Sequence, residues 1–166
     1  MDEGQSEDFR DFYRSRYRRL LGFAYLLCGD RHHAEDLLQT AMIRVHRHWR
    51  RVSRMDHPEA YVRRTLTTVA IASWRRRRLG EYLTSVLPER AVPDHAESYP
   101  VRDQLWNAVQ RLPPRMRAVL VLRYFEDLPE REVAHQLGCS VGTVKTQASR
   151  AMTRLRAQLT EEGVDR

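Results

Sequence analysis

Residues 128–159 read LPEREVAHQLGCSVGTVKTQASRAMTRLRAQL, a short apolar repeat, a tight turn and a longer apolar repeat. Pro129 suits the first turn of a helix, where its missing N–H costs nothing. Val133, Ala134 and Leu137 give that helix one apolar face, and Gly138 follows as a C′ residue. Ser140 is a good N-cap for the second helix. There Val144, Ala148, Ala151, Met152, Leu155 and Leu159 fall on one stripe at helical spacing. Gly142, Thr146, Ser149, Arg150 and Thr153 fall opposite, flanked by Thr143, Lys145 and Gln147. A helix that is apolar behind and small and hydrogen-bonding in front is what a DNA major groove admits. An ordinary helical hairpin would share the period, but the tight-turn sequence GCSVGTVK favours a helix-turn-helix.

Charge points the same way. The chain has 166 residues, a net charge of +7 and a pI near 10.0, so a polyanionic partner is expected. Lys145 is its sole lysine; the other 28 basic residues are arginine. Residues 1–80 carry 17 Arg against 10 acids, residues 81–102 carry 2 against 4, and residues 103–166 carry 10 basic against 8 acidic. The excess therefore lies away from the helix-turn-helix, and a simple repressor has no use for it. A second surface for nucleic acid, or for an acidic partner, is implied.

Cys28 and Cys139 form no metal-ligand or disulfide spacing. No apolar run approaches a membrane span, and MDEGQSEDF is acidic, unlike a signal peptide. A soluble, reduced, cytoplasmic protein without metal or cofactor is expected.

Elsewhere every long periodic segment is helical. Phe9, Phe12, Tyr13, Tyr17, Leu20, Leu21, Ala24 and Leu27 mark a first helix that stops at Gly29. Asp30 can cap a second, with Ala34, Leu37, Leu38, Ala41, Met42, Val45 and Trp49 on its stripe. After VSRMDH, Pro58 starts a third bearing Val62, Leu66, Val69, Ala70 and Ser73, which runs into Trp74 and Arg75–Arg78. Residues 80–102 carry Pro88, Pro93 and Pro100 among scattered acids and read as an extended linker, with a short helical piece possible over 81–86. Val101, Leu105, Val109 and Leu112 then mark a helix, and Pro113-Pro114 opens another through Phe125, with Trp106 expected in the core. The fold class is all-α: a three-helix domain over 1–79, a flexible linker over 80–102, a four-helix domain over 103–160 and a tail over 161–166.

AEDLLQ at 34–39, the proline-led helix ending in WRRRR, RLPPRMRAVLVLRYFEDLPEREVAHQLGCSVGTVK and SRAMTRLR together resemble the extracytoplasmic-function (ECF) sigma factors of bacterial RNA polymerase. PEAYVRR followed by SWRRRR is most similar to the actinobacterial SigE-like subset. The resemblance spans roughly residues 9 to 160. It implies two helical domains, region 2 and region 4, with core RNA polymerase and promoter DNA as partners and an anti-sigma factor as a possible third.

By that resemblance, the second helix of region 2 binds the clamp of the largest polymerase subunit through Asp36, Leu37, Gln39, Thr40 and Ile43, and region 4 meets the flap of the second-largest. Acid and amide groups there suit arginines on a partner helix. Thr40-Ala41-Met42 stands where many members have an acid, a small residue and an aromatic. The third helix and the loop 52–57 take the melted −10 strand, through Arg63, Arg64, Thr67, Thr68, Trp74, Arg75 and Arg76. Cations and stacking surfaces serve single strands. Thr68 replaces an asparagine common in the family, so that base contact is not carried over. The −35 duplex falls to Ser140, Thr143, Lys145, Thr146, Gln147, Ser149 and Arg150. Lys and Arg suit guanine, Gln suits adenine, and the hydroxyls near the helix start suit phosphates.

Two other classes compete. A stand-alone helix-turn-helix regulator would need a dimerisation element to read two half-sites, and none is evident. An enzyme would need a convergent site. His32, His33, Glu35 and Asp36 do not share one helical face as an HExxH pair does, and no phosphate loop occurs; GCSVG at 138–142 has GxSxG spacing but joins two helical repeats, not the strand and helix of a nucleophile elbow.

Overall fold

The computed structural model describes residues 3–84 and 100–161, and the chain divides into two compact units, residues 1–89 and 90–166. In unit 1, α1 (Glu3–Cys28), α2 (Arg31–Arg47) and α4 (Pro58–Thr84) pack on one another, with a single turn, α3 (Trp49–Val52), before α4. Gly29 ends α1 at φ 74, a left-handed conformation that glycine adopts without a Cβ clash. One residue on, the Asp30 carboxylate accepts from the His33 N–H at 3.2 Å and caps α2. The chain thus reverses in two residues, which sets α2 against α1.

Leu20, Phe23 and Leu27 from α1 meet Leu37, Leu38 and Val45 from α2 and Val62, Leu66 and Val69 from α4, all buried. Each such large side chain contributes about 1.5–3 kcal/mol. A polar bridge crosses this core, between His33 Nε2 on α2 and Ser73 Oγ on α4 at 3.2 Å. His33, which sequence reading grouped with neighbouring acids, is therefore a buried hydrogen-bonding residue. Trp49 does not extend α2. The helix breaks at His48 (φ −116, ψ 13), and the indole packs at 5.3 and 5.0 Å from the Phe9 and Phe12 rings.

In unit 2, α5 (Pro100–Gln110), α6 (Pro114–Leu120) and α8 (Val141–Glu161) enclose Ala108, Leu112, Met116, Leu120, Ala151 and Leu155. A π-helical turn, Val121–Phe125, follows α6, with Glu126 N–H donating to Val121 O at 2.9 Å. Then α7 (Glu130–Leu137) lays Val133, Ala134 and Leu137 inward and packs on α8. Leu105 is exposed, so α5 turns Ala108 to the core with Leu112 in the connection to α6, and Trp106, expected in the core, is half-buried with its indole nitrogen shielded from solvent.

The linker expected over 80–102 overlaps helix at both ends. α4 continues through Gly80 to Thr84, because a lone glycine weakens a helix without ending it, and α5 begins at Pro100, a residue tolerated in a first turn. The expected linker residues 85–99 and the tail from 162 onward lie outside the described residues.

Candidate nucleic-acid and polymerase interface

The turn of the helix-turn-helix is built by backbone chemistry. Gly138 adopts φ 64, ψ 39, while Cys139 N–H donates to Ala134 O at 3.0 Å and Gly138 N–H to His135 O at 3.4 Å. This pair of bonds is a Schellman cap on α7. Ser140 Oγ then accepts from Thr143 N–H at 3.1 Å and lies 2.9 Å from Thr143 Oγ1, starting α8. Ser140 and Thr143 are thus first of all capping residues.

Val144, Ala151 and Leu155 are buried against unit 2, and the opposite side of α8 presents Lys145, Thr146, Ser149 and Arg150 to solvent, with Gln147 half-buried. The Thr146 hydroxyl donates to Gly142 O at 3.0 Å, which leaves its methyl and lone pairs for a ligand. The Lys145 ammonium lies 3.8 Å from Glu130 Oε2, at the start of α7. Sequence reasoning passed over Glu130, because a carboxylate on the neighbouring helix carries no signal within α8.

In unit 1, Arg64, Thr68, Arg75 and Arg76 are exposed along α4 and Trp74 is half-buried. Two residues assigned to DNA or polymerase belong elsewhere. Thr67 is 0% exposed and its hydroxyl donates to Arg63 O at 3.1 Å, so it is core rather than a DNA contact. Leu37 is 3% exposed and packs inside unit 1, so it is not on the polymerase face. Arg63 is tied down: its guanidinium lies 2.8 Å from Glu59 Oε1 and 5.8 Å from the centre of the Phe23 ring. Arg16 reaches the other oxygen of Glu59 at 2.9 Å.

The loop expected over 52–57 begins with buried Val52, the last residue of α3. Arg51 bridges from α3 to Tyr61 of α4, its Nη2 donating to the phenol oxygen at 3.3 Å and its guanidinium 5.8 Å from the ring centre. This pair closes the base of the loop and was missed by sequence reading. Tyr61 does lie one turn before Arg64 on the same helix, which is the signal that could have found it.

On α2, Asp36, Gln39, Thr40 and Ile43 share an exposed face at spacings of three and four. Ile43, at 56% exposure, is an apolar residue left in solvent in their midst. Among the described residues no three His, Cys, Asp or Glu side chains gather as metal ligands, and no helix is long and apolar enough to cross a membrane.

A helix-turn-helix unit with an outward basic and hydroxyl face, in one chain with a unit whose longest helix carries exposed arginines, defines a DNA-binding transcription protein. The sequence profile of Sigma-70 region 2 matches residues 12–79 and that of Sigma-70, region 4 matches residues 102–155. The chain belongs to the sigma-70 family of RNA polymerase sigma factors, in its extracytoplasmic-function group. It is 36% identical over 165 residues to the RNA polymerase sigma-E factor of Streptomyces avermitilis, covering 99% of this chain and 92% of that protein. It is 28% identical over 176 residues to the ECF RNA polymerase sigma factor SigW of Bacillus subtilis, covering 95% and 90%. In fold it is similar to the sigma factor RpoE of Bartonella quintana, solved in complex with the anti-sigma factor NepR, with a TM-score of 0.69, 24% identity and coverage of 96% and 99%. A sigma factor binds core RNA polymerase and directs transcription from promoters, and the match to region 2 displaces the stand-alone regulator.

Proposed function

We propose that this sigma factor reads the −35 duplex with the outer face of α8, takes the melted −10 strand on α4 and its preceding loop, and docks on the polymerase clamp through the outer face of α2. The observation that carries the reading is the division of α8. Its buried stripe fixes the helix, and Lys145, Thr146, Ser149 and Arg150 are exposed on the side a major groove would meet. Ser140 and Thr143 lie where the first N–H groups of α8 are exposed and serve a phosphate there. For the −10 strand, Arg64, Arg75 and Arg76 supply positive charge, and Thr68 and Trp74 supply contact surface. Arg63 supports this group from behind.

The α2 face is Asp36, Gln39, Thr40 and Ile43, an acid and an amide around one apolar anchor, matched to a basic helix. An anti-sigma factor that silences this chain would have to cover one or more of these faces. The protein works in the cytoplasm, where polymerase is, and it is not an enzyme.

The test is transcription by core polymerase and the full-length chain from genomic fragments, with start sites mapped, followed by a library of −35 variants. Lys145→Ala and Arg150→Ala should each lower discrimination at one or two −35 positions by about 1–3 kcal/mol. Unchanged preference in both variants would remove α8 as the reader.

A further inference from the structure

Glu130 sits in the first turn of α7, where exposed N–H groups favour a carboxylate. Its two oxygens face two cations: Oε2 is 3.8 Å from Lys145 Nζ and Oε1 is 4.0 Å from Arg123 Nη2. Arg123 is itself fixed, since Nη1 donates to Leu128 O at 2.7 Å and its guanidinium lies over the Tyr124 ring at 5.8 Å. The carboxylate thus faces a fixed guanidinium on one side and, on the other, Lys145, whose side chain is 64% exposed.

An unpaired lysine at the mouth of a DNA groove goes to the nearest phosphate. It is a flexible point charge, and phosphate contacts carry no sequence information. A phosphate within hydrogen-bond reach of Lys145 would stand well within a Debye length of the Glu130 carboxylate, about 10 Å at 0.1 M salt, and be repelled by it. Guanine O6 and N7 are neutral acceptors and meet no such repulsion. The same negative charge thus penalises one destination of Lys145 and spares the other.

We propose that Glu130 is a specificity-determining residue of the −35 reader, holding Lys145 off the phosphate backbone so that its ammonium is spent on a base edge. This rests on the assignment of α8 as that reader. Discrimination here comes from a repulsive element beside the attractive one, in a residue outside the recognition helix.

The test uses polymerase holoenzyme assembled with full-length wild type, Glu130→Gln, Lys145→Ala, Arg150→Ala or the Glu130→Gln/Lys145→Ala double variant. Binding to −35 variants and to a duplex with a scrambled −35 element is followed across salt concentrations. Glu130→Gln should bind the scrambled duplex more tightly, with a log–log salt slope steeper by about 0.9, one more phosphate contact. It should also lower preference about fivefold or more at the base pair whose preference Lys145→Ala abolishes. The double variant should match Lys145→Ala alone, because Glu130 acts through Lys145. Glu130→Asp, which keeps the charge, should restore preference. If Lys145→Ala loses preference while Glu130→Gln keeps the wild-type preference and slope, or if the two effects add, the role of Glu130 is refuted and α8 stands as the reader. If neither Lys145→Ala nor Arg150→Ala changes preference, both assignments fall.

Discussion

Each unit of this protein has a glutamate in the first turn of a helix with basic side chains gathered on it, and the two differ in how tightly they hold. In unit 1, Glu59 lies 2.8 Å from Arg63 and 2.9 Å from Arg16, with Arg19 further out at 3.9 Å. In unit 2, Glu130 stands at 3.8 Å from Lys145 and 4.0 Å from Arg123. Close, partly buried charge-assisted hydrogen bonds contribute about 1.5–3 kcal/mol, whereas exposed pairs contribute about 0–1 kcal/mol. Arg63, hydrogen-bonded to Glu59, therefore belongs to the scaffold, and Arg16 ties α1 to α4 through charge alone, while Lys145 is held loosely enough to leave for a ligand. Arginine count alone overstates the DNA surface of unit 1, because its charge is partly neutralised from within.

The largest expected effect tests the tight half of that contrast. Glu59→Ala removes the acceptor of Arg63 and the counter-charge of Arg16 and should destabilise unit 1 by about 2 kcal/mol. Glu130→Gln should change the stability of unit 2 by no more than about 0.5 kcal/mol. Urea unfolding followed by tryptophan fluorescence separates the two, since Trp49 and Trp74 report unit 1 and Trp106 reports unit 2. Equal shifts in the two variants would erase the difference drawn between the glutamates.

A smaller effect sharpens it within one helix. Arg63 and Arg64 are neighbours, yet Arg63 is bound to Glu59 with its side chain 24% exposed and Arg64 is exposed. Arg63→Ala should cost about 1–2 kcal/mol of stability, with transcription falling only as folded protein is lost. Arg64→Ala should keep stability within about 0.5 kcal/mol and weaken promoter opening directly. Melting curves and transcription measured on the same preparations decide it. A stable Arg63→Ala variant with impaired opening would return Arg63 to the DNA face.

Much of this was legible in the residues. The stripes of α1, α2, α4 and α8 repeat at helical spacing because each buries one face, and Gly138 and Ser140 announce the turn between α7 and α8 by conformations that few other residues provide. The failures share a cause in tertiary structure. Thr67 looks polar in sequence, but its hydroxyl is satisfied within α4, so the side chain fits the core. The end of α4 could not be read from WRRRRLGEYLT, because exposed arginines keep a helix going without an apolar stripe. Glu59 and Arg16 come from distant segments, so only the folded chain shows their pairing. Leu105 matched the helical period of α5 yet faces solvent, because period alone does not say which of two adjacent apolar rows is buried.

The smallest effect concerns the left-handed residues in the turns before α2 and α7. Unit 1 places glycine at its left-handed position, Gly29 at φ 74; unit 2 has glycine at Gly138, φ 64, but also places Asp127 at φ 53 just after the π-helical turn. Asp127 makes no side-chain hydrogen bond or ion pair among the described residues that would repay this conformation. A left-handed conformation costs an ordinary L-residue about 1–2 kcal/mol, and less for aspartate, which adopts it more readily. Glycine removes that cost but loses about 0.5–1 kcal/mol through its greater freedom when unfolded. Asp127→Gly should therefore stabilise unit 2 by only about 0.5 kcal/mol, a rise of about 2–4 °C in Tm for a unit of this size. The reverse exchange in unit 1, Gly29→Ala, should cost about 1 kcal/mol. Calorimetry of both variants gives the signs. A loss of stability in Asp127→Gly would show that the carboxylate contributes to the turn, and the two units would then differ in how the turn is held as well as in how their cations are.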